Sequence, residues 1–164
     1  MSQRTEALAA ALEEGARALA AFANTLSDEE WQMRLPHDGR KIGVIVHHVA
    51  IVYPLELEFA RSVAKRDPAS IRAQDVDDMN AAHAQHNDAV TKEETLSLLA
   101  INSAAAADKI RAFSDEELDT AVPVLLYGNA VLTCQFILED HAVRHSYHHL
   151  ARLQAALKAR AAKV

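Results

Sequence analysis

One cysteine, four glycines and four prolines are all that 164 residues hold of the types that staple, loosen or break a chain. With Cys134 alone no internal disulfide can form, and a reducing compartment is the expectation. Scarce glycine and proline beside abundant alanine and leucine argue for an all-α protein. There is no basic patch or tail, and the formal net charge is −6, which speaks against nucleic acid as a partner. No run approaches the ~20 apolar residues of a membrane span, and Met1-Ser2-Gln3-Arg4 leads into an amphipathic pattern rather than an apolar leader. A cytoplasmic protein with no membrane partner is therefore expected. Gly-rich phosphate loops and Cys-x-x-Cys are missing too. What is present is a chain half hydrophobic, enough for one domain over residues 1–164 with a real core.

Periodicity and caps divide that chain into helices. Ser2 is a candidate N-cap, and Thr5 to Leu26 carries Leu8, Leu12, Ala16, Leu19, Phe22 and Leu26 at three- and four-residue steps. Ser27-Asp28-Glu29-Glu30 reads as a capping box that opens a short helix holding Trp31, ended by Pro36. His37-Asp38-Gly39 makes a turn. A second long helix follows from about Lys41 to Lys65, stopped by Asp67-Pro68, and Pro54 within it predicts a kink or a local break near Ile51 rather than two separate helices. The stretch Pro68 to Val90 is polar, with enough alanine to allow a helix. Thr91-Lys92-Glu93-Glu94 opens a third long helix to about Phe113, carrying Leu96, Leu98, Leu99, Ile101 and Ile110. Ser114-Asp115-Glu116-Glu117 then repeats the earlier cap. Five of ten positions are identical between Ser27–Pro36 and Ser114–Pro123. That is either an internal pseudo-repeat of two helical hairpins or convergence on a common cap. Tyr127-Gly128-Asn129 turns the chain into a last helix, roughly Val131 to Lys158. Four long helices with short capped pieces between them read as a four-helix bundle.

Four of the nine histidines fall between His141 and His149 on that last helix. At ~100° per residue, His145 and His149 flank the inward direction shared by Leu138 and Ala156, with His141 in reserve and His148 pointing away. On the second long helix His48 falls among Val44, Val52, Leu55 and Phe59, while His47 points with Gly43, Pro54 and Glu58. A lone inward histidine is more often a hydrogen-bonded core residue, and four histidines on one helix also describe a solvated face. Two buried imidazoles left without partners would cost on the order of 1–3 kcal/mol each, and a shared cation satisfies both. His48, His145 and His149 are therefore the candidate metal ligands. Three imidazoles with positions left over for water or substrate suit a catalytic metal, which polarises a substrate oxygen or activates water or a thiol. Imidazole ligation suits zinc or nickel first, with iron and copper also accommodated.

Other side chains are weighed against plainer roles. Cys134 lies about 16 Å from His145 along the helix, so a packed core thiol is its reading. His83 and His86 could line the opening above a metal, but an exposed helix is the simpler reading. Arg152 suits either a substrate anion or an ion pair with Glu56 or Glu58. Tyr147 and Phe136 read as core.

An I-V-H-H-V-A segment on the second long helix and H-S-Y-H-H-L-A-R-L on the last together resemble the DinB/YfiT-like metalloenzymes, over essentially the whole chain. The S-D-E-E-L-D-x-x-V-P stretch and the Asp/Asn-rich link after the second long helix extend the resemblance. It implies a four-helix bundle with a long crossover between helices two and three, which Pro68–Val90 would supply. It also places three metal ligands on His48, His145 and His149. Two positions depart from the pattern: Arg152 stands where many members have glutamine, and Arg40-Lys41 where many have tryptophan. The resemblance implies a divalent-metal protein, either a hydrolase or a transferase using a mycothiol-, bacillithiol- or glutathione-type thiol. The other classes are a non-catalytic metal- or ligand-binding stress module and a structural dimerising bundle. The apolar stripe of the first helix is broad enough for a second copy, which makes a homodimer one expected assembly.

Overall fold

Caps written in the sequence start most of the helices. The computed structural model describes residues 2–36 and 39–162, so His37 and Asp38 of the expected turn lie outside the described residues. Ser2 caps α1 (Gln3–Thr25) through a reciprocal box with Thr5. Ser27 and Glu30 close the box that opens α2 (Asp28–Gln32), and Trp31 on it is buried. The helix α3 spans Ile42–Ala64, α4 Ala73–His86 and α5 Lys92–Arg111, the last capped by Thr91. Ser114 and Glu117 then repeat the box at α6 (Asp115–Asp119).

The long helices form a square. Both α1 and α3 pack against α5 and against the last helix, so α1 and α3 stand on one diagonal of a four-helix bundle. Buried Leu8, Leu12, Ala16 and Leu19 turn the stripe of α1 inward, so it is covered within one chain. Ile101, one of the apolar residues of α5, is 63% exposed. Among the described residues α3 is long and apolar enough to cross a membrane by length and composition. A reading by uninterrupted runs misses this, because His47, His48 and Glu56 divide the segment. Of its most apolar stretch 72% is buried inside the protein, as befits a helix packed on several faces.

Pro54 does not break α3. A proline removes the N–H that would bond the carbonyl four residues earlier. Here Asn102 Nδ2 on α5 donates to the Ala50 carbonyl at 2.8 Å, replacing the lost bond from a neighbouring helix. The helix therefore runs on through Pro54 without the local break that the proline could have made.

The pseudo-repeat is visible in three dimensions. Each half has a long helix, a short boxed helix with a buried apolar residue (Trp31 or Leu118), a β-type pairing, and then a histidine-bearing helix. In the first half the pairing is a single bridge, Arg34 to Lys41. In the second it is a hairpin absent from the sequence reading: β1 (Ala121–Val124) pairs antiparallel with β2 (Ala130–Thr133), Ala121 opposite Thr133 and Val124 opposite Ala130. Gly128 and Asn129 make its turn at φ of 64° and 65°. Val131 is thus in a strand, and the last helix begins at Cys134, where Thr133 Oγ1 accepts from the Phe136 amide.

That last helix is not uniform. It runs as α7 (Cys134–Ile137), a π-helical turn (Leu138–Val143) and α8 (Arg144–Ala161). A π turn holds an extra residue relative to α, so angles counted at ~100° per residue drift across it.

Candidate metal centre

Two helices bring the histidines together: α3 supplies His48, and α8 supplies His145 and His149 one turn apart. One nitrogen from each lies within 4.8 Å of the others. His48 and His149 are buried and His145 is half-buried. The Nε2 atoms of His48 and His145 are 3.2 Å apart, close to the roughly 3.3 Å edge of a tetrahedron with metal–nitrogen bonds near 2.05 Å.

Glu56 fixes the tautomer of His145. This carboxylate, two turns after His48 on α3 and only 7% exposed, accepts from His145 Nδ1 through Oε1. With the proton held at Nδ1, the Nε2 of a neutral His145 presents a lone pair to the cluster. The arrangement is the carboxylate–histidine pairing that orients metal-ligating imidazoles. His149 is held neutral: burial first, then the neighbouring His145 and His48, push it down to about 2. Its Nδ1 is buried with no hydrogen-bond partner among the described residues. Three converging imidazoles of this kind form a donor set that fits a divalent cation.

A second pair of histidines flanks the trio. His83 on α4 is buried, against the expectation of an exposed helix. Its Nε2 lies 2.9 Å from His47 Nδ1, the rings stack at 5.1 Å, and its ring stands 5.6 Å from that of His48. Burial, then His47 and Arg40, hold His83 down to about 4. His86, on the other side of α4, is exposed and faces its own helix at the Ala82 carbonyl. His47, assigned outward by angle, is thus half-buried beneath α4.

His141 is drawn in by the π turn. Its Nε2 is 3.0 Å from the Tyr127 hydroxyl, and its ring meets Phe59 edge-on at 5.3 Å. Burial lowers its pKa. It lies beside the trio rather than in it, and His148 is exposed.

Against the trio lies a cavity of about 460 Å³. His48, His145 and His141 form its inner end, Val52, Leu55 and Phe59 its α3 wall, and Val76 and Met79 its α4 wall. Leu55 and Met79, 51% and 42% exposed, flank it with apolar surface. Leu55 therefore lines an opening rather than the closed core assigned to it.

The remaining assignments divide. Cys134 is a core thiol, fully buried beside the Ala60 carbonyl and pushed by burial up to about 12. Tyr147 and Phe136 are each 37% exposed rather than core; Tyr147 lies against Gly15 on α1 and donates to the Ala11 carbonyl, and Phe136 meets Tyr127 edge-on. Arg152 is exposed. The carboxylates proposed for it are engaged otherwise, Glu56 by His145 and Glu58 by Lys109 at 3.6 Å. Glu56 is the functional residue the sequence reading missed. Its signal was an acid between Leu55 and Leu57, one of two in an apolar helix and the one on its inward side, a position that demands a buried donor.

Comparison with known proteins places this geometry. The sequence matches the profile of the DinB superfamily over residues 11–153. No curated protein matches it. The fold is similar to that of YfiT from Bacillus subtilis, described as a probable metal-dependent hydrolase with an unusual four-helix bundle topology. The TM-score is 0.77 at 17% sequence identity, covering 98% of this chain and 90% of that one.

Proposed function

This chain belongs to the DinB superfamily, and from that premise we propose that it binds one divalent cation, zinc or nickel first, through His48, His145 and His149 and uses it for hydrolysis of a small molecule. The observation that carries the reading is the cavity that ends on His48 and His145, giving a substrate access to the cluster. A bound cation would supply Lewis acidity, polarising a substrate oxygen or activating water. The protein's own share is positional. Glu56 holds the proton at His145 Nδ1, burial keeps His149 neutral, and α3 and α4 supply largely apolar walls. The resemblance of the fold to a probable metal-dependent hydrolase supports the same class.

Hydrolysis is favoured over transfer from an anionic thiol because the cavity lining offers such a thiol no cationic side chain. Glu56, Glu58 and Asp75 line it, and no lysine or arginine does among the described residues. Cobalt-loaded protein tests the catalytic reading: its visible spectrum should shift on adding azide, and zinc-loaded protein should hydrolyse a chromogenic amide or ester. A spectrum indifferent to azide would mark a filled shell and replace the enzyme with a metal-binding module. Glu56→Gln should weaken zinc affinity about 10–100-fold, as loss of a carboxylate behind a ligating histidine does, read by competition with a chelating dye.

A further inference from the structure

A chain of side-chain hydrogen bonds ends on the cavity wall beside the trio. It begins at Arg144, whose Nε pairs with Asp140 Oδ1 at 3.0 Å. The other carboxylate oxygen, Oδ2, accepts from the Tyr127 hydroxyl, which also lies 3.0 Å from His141 Nε2. Tyr127 stands on the short helical turn Leu125–Tyr127 between β1 and β2, so the hairpin delivers it. A phenol has one proton, and a carboxylate can only accept. Burial first, then Asp140, keep that proton on the phenol. The hydroxyl thus donates to Asp140 and accepts from His141, which puts the ring proton of His141 at Nε2 and leaves a lone pair at Nδ1.

That lone pair is open. His141 Nδ1 has no hydrogen-bond partner among the described residues, and unlike His83 Nδ1 and His149 Nδ1 it is not shut off from the surface. The ring is half-buried, edge-on to Phe59, and lines the cavity together with His48 and His145. Around it Glu56 and Asp140 favour a ring proton while His145 and Arg144 oppose one; burial outweighs them all and keeps the ring neutral at pH 7. A cation on the trio would act in the same direction as Arg144.

We infer that His141 is the general base of the proposed hydrolysis, with Tyr127 and Asp140 as its positioning residues. In the step assigned to it, a water O–H bond breaks and the proton passes to His141 Nδ1, while the oxygen's electron pair forms the new bond to the substrate carbonyl carbon. When the bond to the leaving group breaks, the leaving atom keeps that pair and takes the proton back from Nδ1, so His141 ends as it began. The inference rests on the hydrolytic reading and adds to it a residue outside the three ligands. It also gives the hairpin a task at the site, since its turn carries the hydroxyl that fixes the tautomer.

Two readouts test this, one of them independent of turnover. Long-range nitrogen–proton correlation spectra of isotope-labelled, metal-free protein read the tautomer, with His141→Gln identifying the ring by its missing signals. Nε2 is expected to carry the proton and Nδ1 to be bare at neutral pH. Tyr127→Phe keeps the aromatic ring against Phe136 but loses the hydroxyl, and should speed solvent exchange of the Nε2 proton several-fold. With zinc loaded and a chromogenic ester as substrate, His141→Gln should lower kcat roughly 100-fold and Tyr127→Phe by less, KM and zinc stoichiometry being unchanged in both. A proton found on Nδ1, or loss of zinc from His141→Gln, would overturn the assignment. So would an unchanged kcat in His141→Gln beside an active wild type, and the hydrolytic reading would then stand alone. An unchanged kcat in Tyr127→Phe would remove the positioning role. Zinc-loaded wild type without turnover would overturn the hydrolytic reading and this one together.

Discussion

The two helices that carry the trio reach the same point by different means. The first, α3, is continuous from Ile42 to Ala64, is buried on several faces, and delivers His48 within its first two turns. The last helix is capped by Thr133, passes through a π turn at Leu138–Val143 and only then presents His145 and His149. In α3 the difficulty is internal, a proline in mid-helix, and a side chain on a neighbouring helix resolves it. In the last helix the register itself is altered, and the alteration places His141 on the cavity wall beside the trio. A regular helix can be read by angle; a helix with an extra residue in one turn can be read only on either side of it.

The comparison breaks most visibly at the π turn. Deleting the exposed Glu139 should convert the segment to α-helix, rotating α8 by roughly 100° against α7. Cys134 and Ile137 cannot then stay buried while His145 and His149 still face His48. Metal stoichiometry should fall from about one equivalent to near zero, and the urea midpoint should drop. A deletion variant that keeps full stoichiometry would show that the π turn does not set the histidine register.

The proline gives a smaller, sharper test. Asn102→Leu should leave the Ala50 carbonyl buried and bare, costing about 1–3 kcal/mol by chemical unfolding. Pro54→Ala restores the N–H of residue 54 to that carbonyl, so in its background the same Asn102→Leu should cost less. Equal costs in the two backgrounds, measured as a double-mutant cycle, would dismiss the replacement bond.

The histidines themselves predict the pH response of metal-free protein. His83 and His149 are held below the ordinary value near 6.5, to about 4 and about 2, chiefly by burial. Above pH 6.5 both are neutral in the folded and unfolded chain and contribute no slope. Below it the unfolded chain binds protons that the folded chain refuses, so stability falls as pH falls. For His83 the slope ends near pH 4; for His149 it continues to about pH 2. Each adds up to ~1.4 kcal/mol per pH unit. Urea unfolding between pH 7 and 4.5 should show this decline, and His149→Asn should reduce it; a flat profile would mean that these rings are protonated in the fold.

How much of this was legible in the sequence follows from the same contrast. Caps at Ser2, Ser27, Thr91 and Ser114 are local chemistry, and all four are where the sequence places them. The inward faces of His48, His145 and His149 follow from helical angle, since His48 sits in a regular helix and the other two lie beyond the π turn. What was hidden depends on distant partners. His83 is buried because α4 folds back over His47, and nothing in its polar surroundings announces that. The hairpin of Ala121–Val124 with Ala130–Thr133 needs a partner strand to outweigh the start of a helix at Val131. Glu56 acquires meaning only from an imidazole 89 positions later in the chain, Glu56 to His145.

The central claim, one cation held by three histidines from α3 and α8, is tested most directly by metal content. Untagged wild type and His145→Ala, purified side by side, would be measured by mass spectrometry after incubation with zinc or nickel. About one equivalent in the wild type and a near-complete loss in the variant is the predicted result. A wild-type protein that stays empty, or a variant that keeps its metal, would contradict it.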